Sequence, residues 1–137
     1  MERKLLLSRI QTPDGTILVS HHRHDYVTHV DKNGKEYMLD GGNDYQRVNK
    51  HEDAPYKDLS VYSDAPFEEI REALCRGGRG KNGDQPLTWV PLSQMNDEWL
   101  AACIIYNAER GEADSTASQY YAKEIEYRKA IGLVIAE

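Results

Sequence analysis

The dipeptide Asn33-Gly34 constrains the fold of the first half of the chain more than any other feature. It separates the run 26–30, which is rich in β-branched and aromatic residues, from the run 35–39, which ends in Tyr37-Met38-Leu39. Asn-Gly between such runs is the strongest short-range signal for a β-hairpin, because both residues accept the positive φ of the turn. A second turn signal, Thr12-Pro13-Asp14-Gly15, separates two earlier apolar runs. The first half of the chain is therefore predicted to form antiparallel strands.

The second half carries helix signals instead. Asp64-Ala65-Pro66 precedes apolar residues that are spaced for one helix face, which predicts a short helix capped by Asp64 and ended by Gly77. Two longer helices are predicted after it: the first begins at Asn96 and is closed by Gly111, and the second begins at Asp114 or Ser115 and is ended by Gly132.

An antiparallel sheet followed by one short and two longer helices is typical of the α+β class. The length of 137 residues fits one compact domain. We therefore predict a single domain over 1–137, with the sheet region at 1–62 and the helical region at 63–137. Residues 76–86 hold four of the ten glycines, and this stretch is predicted to be a flexible basic loop.

The charge balance limits the partners of the chain. Seventeen Lys and Arg residues against 23 Asp and Glu residues give a net charge of −6, whereas binding to duplex nucleic acid needs a basic surface that neutralises phosphates. No apolar run reaches the roughly 18 residues that a membrane span requires. Cys75 and Cys103 are the only cysteines, too few for a disulfide framework. We therefore expect a cytosolic protein with no membrane and no duplex nucleic acid as partner.

The glycine-rich stretch 76–86 is the first candidate for ligand binding. It lacks the phosphate-loop pattern of nucleotide hydrolases, because Gly80-Lys81 is followed by Asn82. Arg76, Arg79 and Lys81 can still clamp phosphates, and Arg in particular offers two parallel hydrogen bonds. The alternative is a solvated connector with no ligand.

The segment 40–47 is the second candidate. Its paired glycines allow positive φ or a close approach of the backbone to another group. Asn43, Tyr45 and Arg47 follow them and offer base-edge, stacking and phosphate contacts respectively. The alternative is a tight turn between strands with a polar flank.

Aromatic residues with a polar end form the third candidate. The chain has nine Tyr and two Trp but one Phe, and base stacking on such rings contributes about 1–3 kcal/mol per base. The alternative for the rings on the two late helices is amphipathic packing with the hydroxyl groups at the rim. Taken together, the predicted ligand-binding residues are Asn43, Tyr45, Arg47, Arg76, Arg79, Lys81, Trp89, Tyr106, Arg110, Tyr121 and Arg128.

Four of the five histidines lie within residues 21–29, next to Asp25. Imidazole and carboxylate together are ligands for divalent metals, but structural zinc sites usually have four ligands, often thiolates, and no cysteine lies nearby. We therefore interpret these histidines as part of a polar sheet face or a hydrogen-bonded turn, and we predict neither a metal nor a cofactor. No catalytic spacing such as G-x-S-x-G or H-E-x-x-H occurs, which favours a protein that is not an enzyme.

Four short patterns resemble segments of small phage-encoded proteins. Ser20-x-x-x-His24-Asp25-Tyr26, followed by Asp40-Gly41-Gly42-x-x-Tyr45-x-Arg47, looks like a module that is common in such proteins. Trp89-x-Pro91-Leu92-x-x-Met95-x-Asp97-Glu98 and Tyr121-x-x-Glu124-x-x-Tyr127-Arg128 resemble further segments of them. The small sheet followed by two helices is also similar to phage immune-evasion sponges.

Sponges of the anti-Thoeris and anti-CBASS type sequester cyclic nucleotide signals without cleaving them, and they assemble as dimers or higher oligomers. The resemblance implies a homo-oligomer in the cytoplasm of an infected bacterial host that binds a cyclic oligonucleotide or a cyclic ADP-ribose-type signal. In this hypothesis the arginines bind the phosphates, and Tyr and Trp rings stack on the bases.

Two other functions remain open at this stage. The segment 51–110 has six basic and eleven acidic residues, which is compatible with an acidic inhibitor of a host defence protein, similar to an anti-CRISPR. The second alternative is a small metal-dependent phosphoesterase that uses His22, His24, Asp25 and His29.

Overall fold

The computed structural model describes residues 3–80 and 82–135. The chain divides into two compact units, with the boundary between Leu74 and Cys75. The first unit contains most of the antiparallel strands and one short helix, and the second contains a two-stranded sheet and two longer helices. The predicted α+β class is confirmed. The single domain with a sheet–helix boundary near residue 62 stays a prediction.

The first strand of the first unit is also its longest. Strand β1 (Leu5–Gln11) pairs antiparallel with β2 (Ile17–Ser20), and the predicted turn connects them. The Thr12 amide donates to the Thr16 carbonyl across this turn. The opposite edge of β1 pairs with two short strands that come later in the chain.

The Asn33-Gly34 hairpin is confirmed. Strands β3 (Val27–Val30) and β4 (Glu36–Asp40) pair antiparallel on either side of it, with Thr28 opposite Met38. Strand β5 (Arg47–Val48) adds to the other edge of β4. Alternate residues of a strand face the same side of its sheet, and residues from both sheets meet in one core. The buried residues of this core are Ile10, Leu18, Tyr37 and Leu39.

The first unit ends with two short strands and a helix. Strands β6 (Lys57–Asp58) and β7 (Val61–Tyr62) pair with β1. Helix α1 (Phe67–Ala73) follows, and its N-cap is Pro66, with no side-chain hydrogen bond at the cap. The prediction that Asp64 caps this helix is therefore wrong, because the chain becomes helical only after Pro66. The predicted end at Gly77 is also wrong, because the helix ends at Ala73 and Gly77 lies in the next strand.

The second unit begins with a hairpin that the sequence did not predict. Strand β8 (Cys75–Gly78) pairs antiparallel with β9 (Thr88–Pro91). The predicted loop at 76–86 is therefore wrong at its start, because its first three residues belong to β8. A 3-10 turn (Leu92–Gln94) then leads into the helices.

Helices α2 (Asp97–Glu109) and α3 (Thr116–Ile131) have the predicted ends. The Asn96 side chain caps α2 by accepting from the Trp99 amide, and Ser115 caps α3 in the same way. Gly132 ends α3 with a φ of 71°, a left-handed conformation that favours glycine. None of the helices in the described residues combines the length and the apolar composition that a bilayer crossing requires.

Candidate ligand-binding site

Arg76 is the centre of the candidate site. It lies in β8 opposite Val90, and its side chain is half-buried. Its Nη1 donates a hydrogen bond of 3.0 Å to the hydroxyl of Tyr121 in α3. The guanidinium carbon lies 5.8 Å from the centroid of the Tyr121 ring. The hairpin and the last helix thus hold an arginine and a tyrosine together that are 45 residues apart in sequence.

The charge state of this pair follows from its surroundings. Burial by itself would lower the pKa of Arg76, but the hydrogen bond with Tyr121 and the nearby phenol and thiol groups outweigh it, so the pKa is raised. Burial raises the pKa of Tyr121, although the Arg76 guanidinium opposes this shift. At neutral pH the pair is therefore a guanidinium cation beside a neutral phenol. No described carboxylate forms an ion pair with Arg76.

Helix α2 adds a second aromatic ring and a second cation. The guanidinium carbon of Arg110 lies 5.2 Å from the centroid of the Tyr106 ring, and both side chains are exposed. Tyr106 is close enough to Arg76 to affect its pKa. Cys103 is buried on the same helix, and burial raises the pKa of its thiol. Ring contacts, a hydrogen bond and electrostatic interactions thus connect four of the predicted ligand residues, which we call the Arg76 cluster: Arg76, Tyr106, Arg110 and Tyr121.

Two other predicted ligand residues of the 76–89 region, Trp89 and Arg79, do not join this cluster. Trp89 lies opposite Gly77 in the hairpin, and because side chains alternate along a strand it faces the other side of the sheet from Arg76. Its ring packs within 3.3 Å of where a Gly77 Cβ would be. Arg79 is exposed in the loop that joins the two strands. Lys81 lies outside the described residues.

Arg128 is occupied by other groups. Its Nε donates to Glu124, its Nη1 to Asp97 and its Nη2 to the Leu92 carbonyl, all at 2.7 to 2.8 Å. The side chain is 3% exposed. Every nitrogen of the guanidinium therefore has an internal acceptor, and we leave Arg128 out of the cluster.

Asn43, Tyr45 and Arg47 lie in the first unit. Arg47 forms a 2.9 Å ion pair with Asp40, and the Tyr45 hydroxyl lies 3.5 Å from the same carboxylate. Asn43 is exposed on the turn before them. Ligand contacts by these three residues stay a prediction, and the Asp40 carboxylate beside them weakens the case for a phosphate at this place.

Two buried serines, which sequence reasoning missed, position this turn. Ser8 donates 2.6 Å to the Gly42 carbonyl, and Ser20 accepts 3.0 Å from the Gly42 amide. A Cβ on Gly42 would overlap the backbone of His22. Glycine at position 42 therefore allows two turns to pack backbone against backbone. The only sequence signal for this contact was that Ser20 and Gly42 both belong to the patterns that resemble phage proteins.

The histidines have internal partners. His21 lies 3.4 Å from Asp25, and His29 lies 3.0 Å from Asp14 in a different turn. His22 accepts a hydrogen bond from the His24 amide through its Nδ1. Within 3–80 and 82–135, no three His, Cys, Asp or Glu residues are grouped in a way that suits a metal ion.

Comparisons with protein-family models, with curated proteins and with solved structures found no match to this chain. We therefore infer function from the chemistry of the Arg76 cluster.

Proposed function

We propose that this chain binds a cyclic nucleotide immune signal, of the cyclic oligonucleotide or cyclic ADP-ribose type, and sequesters it without cleaving it. The observation that carries the proposal is the half-buried Arg76 guanidinium, which has a neutral tyrosine as its hydrogen-bond partner and no described acidic partner. A partly desolvated cation of this kind gains more from a bound anion than an exposed one does.

The donors of the cluster suit phosphate oxygens. The hydrogen bond to Tyr121 uses Nη1 of Arg76. Nε and Nη2 donate to no other described residue, so they are the donors that we assign to a ligand. Arg110 supplies a second cation, and it lies over an exposed ring that can also stack on a base. A phosphate flanked by a base is the chemistry that such a set of groups recognises.

The cluster lacks the features of a nucleophilic site. The raised pKa of the Cys103 thiol keeps it protonated at neutral pH, and a protonated thiol is a poor nucleophile. The raised pKa of Tyr121 likewise keeps this phenol protonated at neutral pH, so it is not available there as a general base. These properties support binding rather than turnover.

Calorimetric titration with cyclic dinucleotides, cyclic trinucleotides and cyclised ADP-ribose tests the proposal. We expect one of these classes to bind and to be recovered intact after heat denaturation of the complex. Arg76→Gln should weaken binding about 10- to 100-fold, because a hydrogen bond to a charged group contributes about 1.5–3 kcal/mol. Tyr121→Phe should weaken it less, because the ring stays in place.

Arg23→Gln is the matched control, since Arg23 is exposed in the first unit and pairs with Asp44. It should leave the affinity unchanged. The absence of heat with every ligand class at micromolar protein would contradict the proposal. A ligand that is recovered cleaved would favour the phosphoesterase, and a stoichiometric host protein in a pull-down without released nucleotide would favour the acidic inhibitor.

A further inference from the structure

The tip of the β3–β4 hairpin carries a dipeptide that can modify itself. Asn33 and Gly34 are exposed, and the Asn33 side chain forms no hydrogen bond with a described residue. An asparagine carboxamide can close a five-membered ring with the next backbone nitrogen. Glycine at that next position hinders ring closure least, because it has no Cβ and the widest choice of backbone conformations. Asn33-Gly34 therefore has the chemistry of a deamidation site.

Deamidation at this dipeptide is spontaneous, and water is its only co-reactant. The Gly34 nitrogen attacks Cγ of Asn33, so that a new C–N bond forms and the Cγ–Nδ2 bond breaks. Ammonia leaves with the proton that the Gly34 nitrogen gives up, and a succinimide ring remains. Water then opens the ring: attack at Cγ gives aspartate, and attack at the main-chain carbonyl carbon gives isoaspartate. Either product adds a negative charge, and isoaspartate also adds a methylene group to the main chain.

The folded turn holds the attacking nitrogen in place. The Gly34 amide donates a 2.9 Å hydrogen bond to the Asp31 carbonyl. The carboxylate of the same aspartate accepts through Oδ1 from the amide of Asn33 at 2.9 Å and from that of Lys35 at 3.0 Å. Asp31 thus binds the attacking nitrogen and the amides on both sides of it. The Gly34 nitrogen can attack only after it leaves the Asp31 carbonyl.

Burial and a second carboxylate reinforce this hold. Asp31 is 4% exposed, so water is a poor substitute for it as an acceptor. The Lys32 amide donates 3.2 Å to Oδ2 of Asp14, which lies in the turn between β1 and β2. The backbone amides from 32 to 35 therefore all have acceptors. Freeing the Gly34 nitrogen requires local opening of the hairpin tip.

We propose that Asn33-Gly34 is a deamidation site and that Asp31 gates it. The closed turn protects Asn33, and each opening of the turn allows a fraction of the chains to convert. Conversion then weakens the turn, because the new carboxylate is two residues from the buried Asp31 carboxylate and like charges repel. Isoaspartate also lengthens a turn whose length sets the register of β3 with β4. Openings of the hairpin are thus recorded irreversibly in the covalent structure.

The chain contains the same dipeptide a second time, at Asn82-Gly83, with a weaker hold. Both residues are exposed, and the Gly83 amide donates to the Gly80 carbonyl at 3.2 Å. Among the described residues, no side chain accepts from the amide on either side of the Gly83 amide. The two sites share their local chemistry and differ in the acceptors around them, so Asn82 serves as an internal reference.

Peptide mass spectrometry of the full chain, incubated near neutral pH, measures both conversions. The gain in mass when a hydroxyl group replaces the amino group is followed separately at Asn33 and at Asn82. We expect Asn33 to convert at least about tenfold more slowly than Asn82 in buffer, and the two rates to agree within about threefold in urea that unfolds the chain. Asp31→Ala should raise the Asn33 rate at least about tenfold in buffer and leave the Asn82 rate unchanged.

Asp53→Ala is the matched control, because Asp53 is exposed and its 3.0 Å ion pair is with the side chain of Lys35 rather than with a turn amide. It should leave the Asn33 rate unchanged. Circular dichroism establishes that the variants are folded; if Asp31→Ala is not, the rates of the parent chain in buffer and in urea decide. Equal Asn33 and Asn82 rates in buffer overturn the inference, as does a folded Asp31→Ala chain that converts at Asn33 no faster than Asp53→Ala.

The effect of conversion on the turn is measured on the product itself. Chain converted at Asn33, separated from the parent by ion exchange, should unfold at a lower temperature because of its added charge and methylene group. An unchanged unfolding transition would overturn the weakening of the turn.

Discussion

The Nε of Arg128 donates a 2.7 Å hydrogen bond to the Oε2 of Glu124, one turn earlier on α3, and the two side chains are 3% and 0% exposed. Two further bonds from the same guanidinium reach Asp97 at the start of α2 and the Leu92 carbonyl in the 3-10 turn. A single arginine therefore connects three segments of the second unit. Both partners of a buried ion pair are needed, because removing one leaves an uncompensated charge.

We expect Arg128→Met to lower the free energy of unfolding by about 3–5 kcal/mol, which is the usual effect of breaking a buried ion pair. Urea unfolding followed by circular dichroism measures it. Lys129→Met is the control, since the neighbouring side chain is 70% exposed, and it should change stability by less than about 0.5 kcal/mol. Equal midpoints for the two variants would show that the Arg128 network does not stabilise the fold.

Gly42 should tolerate substitution much less than Gly34 does. Its φ is 55°, and a Cβ there would overlap the backbone of His22. Gly34 also has a positive φ, of 84°, but a Cβ there meets nothing within 4 Å. Gly34→Ala should therefore lower the free energy of unfolding by about 1–3 kcal/mol, which is the strain of a positive φ in a residue with a Cβ. Gly42→Ala should lower it by several kcal/mol more or prevent folding. Thermal unfolding of both variants gives the comparison, and similar losses would contradict the backbone packing.

Ser20 should stabilise the first unit through the Gly42 amide. Ser20→Ala leaves this buried donor without its acceptor, and an unsatisfied buried group costs about 1–3 kcal/mol. Ser63→Ala is matched to it, because the Ser63 hydroxyl also accepts from a backbone amide, that of Lys4, but at an exposed place. Water can replace the lost bond there, so the Ser63 variant should lose much less stability in urea titrations. A smaller loss for Ser20→Ala than for Ser63→Ala would refute this account.

The features that the sequence predicted correctly depend on neighbouring residues. The turn at Asn33-Gly34 and the caps at Asn96, Ser115 and Gly132 each follow from backbone preferences over four or five residues. Asp64 failed as a cap although its local signal was similar, because Pro66 lies between it and the first helical residue.

Strand β8 and the Arg76 cluster depend on distant residues instead. The glycines of β8 read as a loop, but Trp89 and Trp99 lie against Gly77 and Gly78 and fill the space that side chains would occupy. Likewise, the contact between Arg76 and Tyr121 cannot be predicted from the sequence, because the two residues are 45 positions apart. The contact between Arg128 and Glu124 can be predicted, because the two residues are four positions apart on one helix. Only the second pair has a local signal, the four-residue spacing of an acid and a base on a helix.

Asp14 should make the first unit sensitive to acid. Hydrogen bonds from the Thr12 hydroxyl, from His29 and from Thr16 lower the pKa of its carboxyl well below the ordinary value of 3.8. A group whose pKa is depressed in the folded state binds its proton more readily when unfolded, so it stabilises the fold above its ordinary pKa and loses this effect as the pH falls further. The contribution should therefore be complete above about pH 5 and should decline below pH 3.8.

Asp14→Asn removes this titration, and we expect it to lower stability at neutral pH and to flatten the decline in acid. Urea midpoints measured from pH 7 down to about pH 2 show both effects. Asp64→Asn is the control, because Asp64 is exposed and 3.8 Å from Arg3, and its stability curve should follow that of the parent chain. An Asp14→Asn curve parallel to the parent curve over the whole range would mean that these hydrogen bonds do not couple Asp14 to folding.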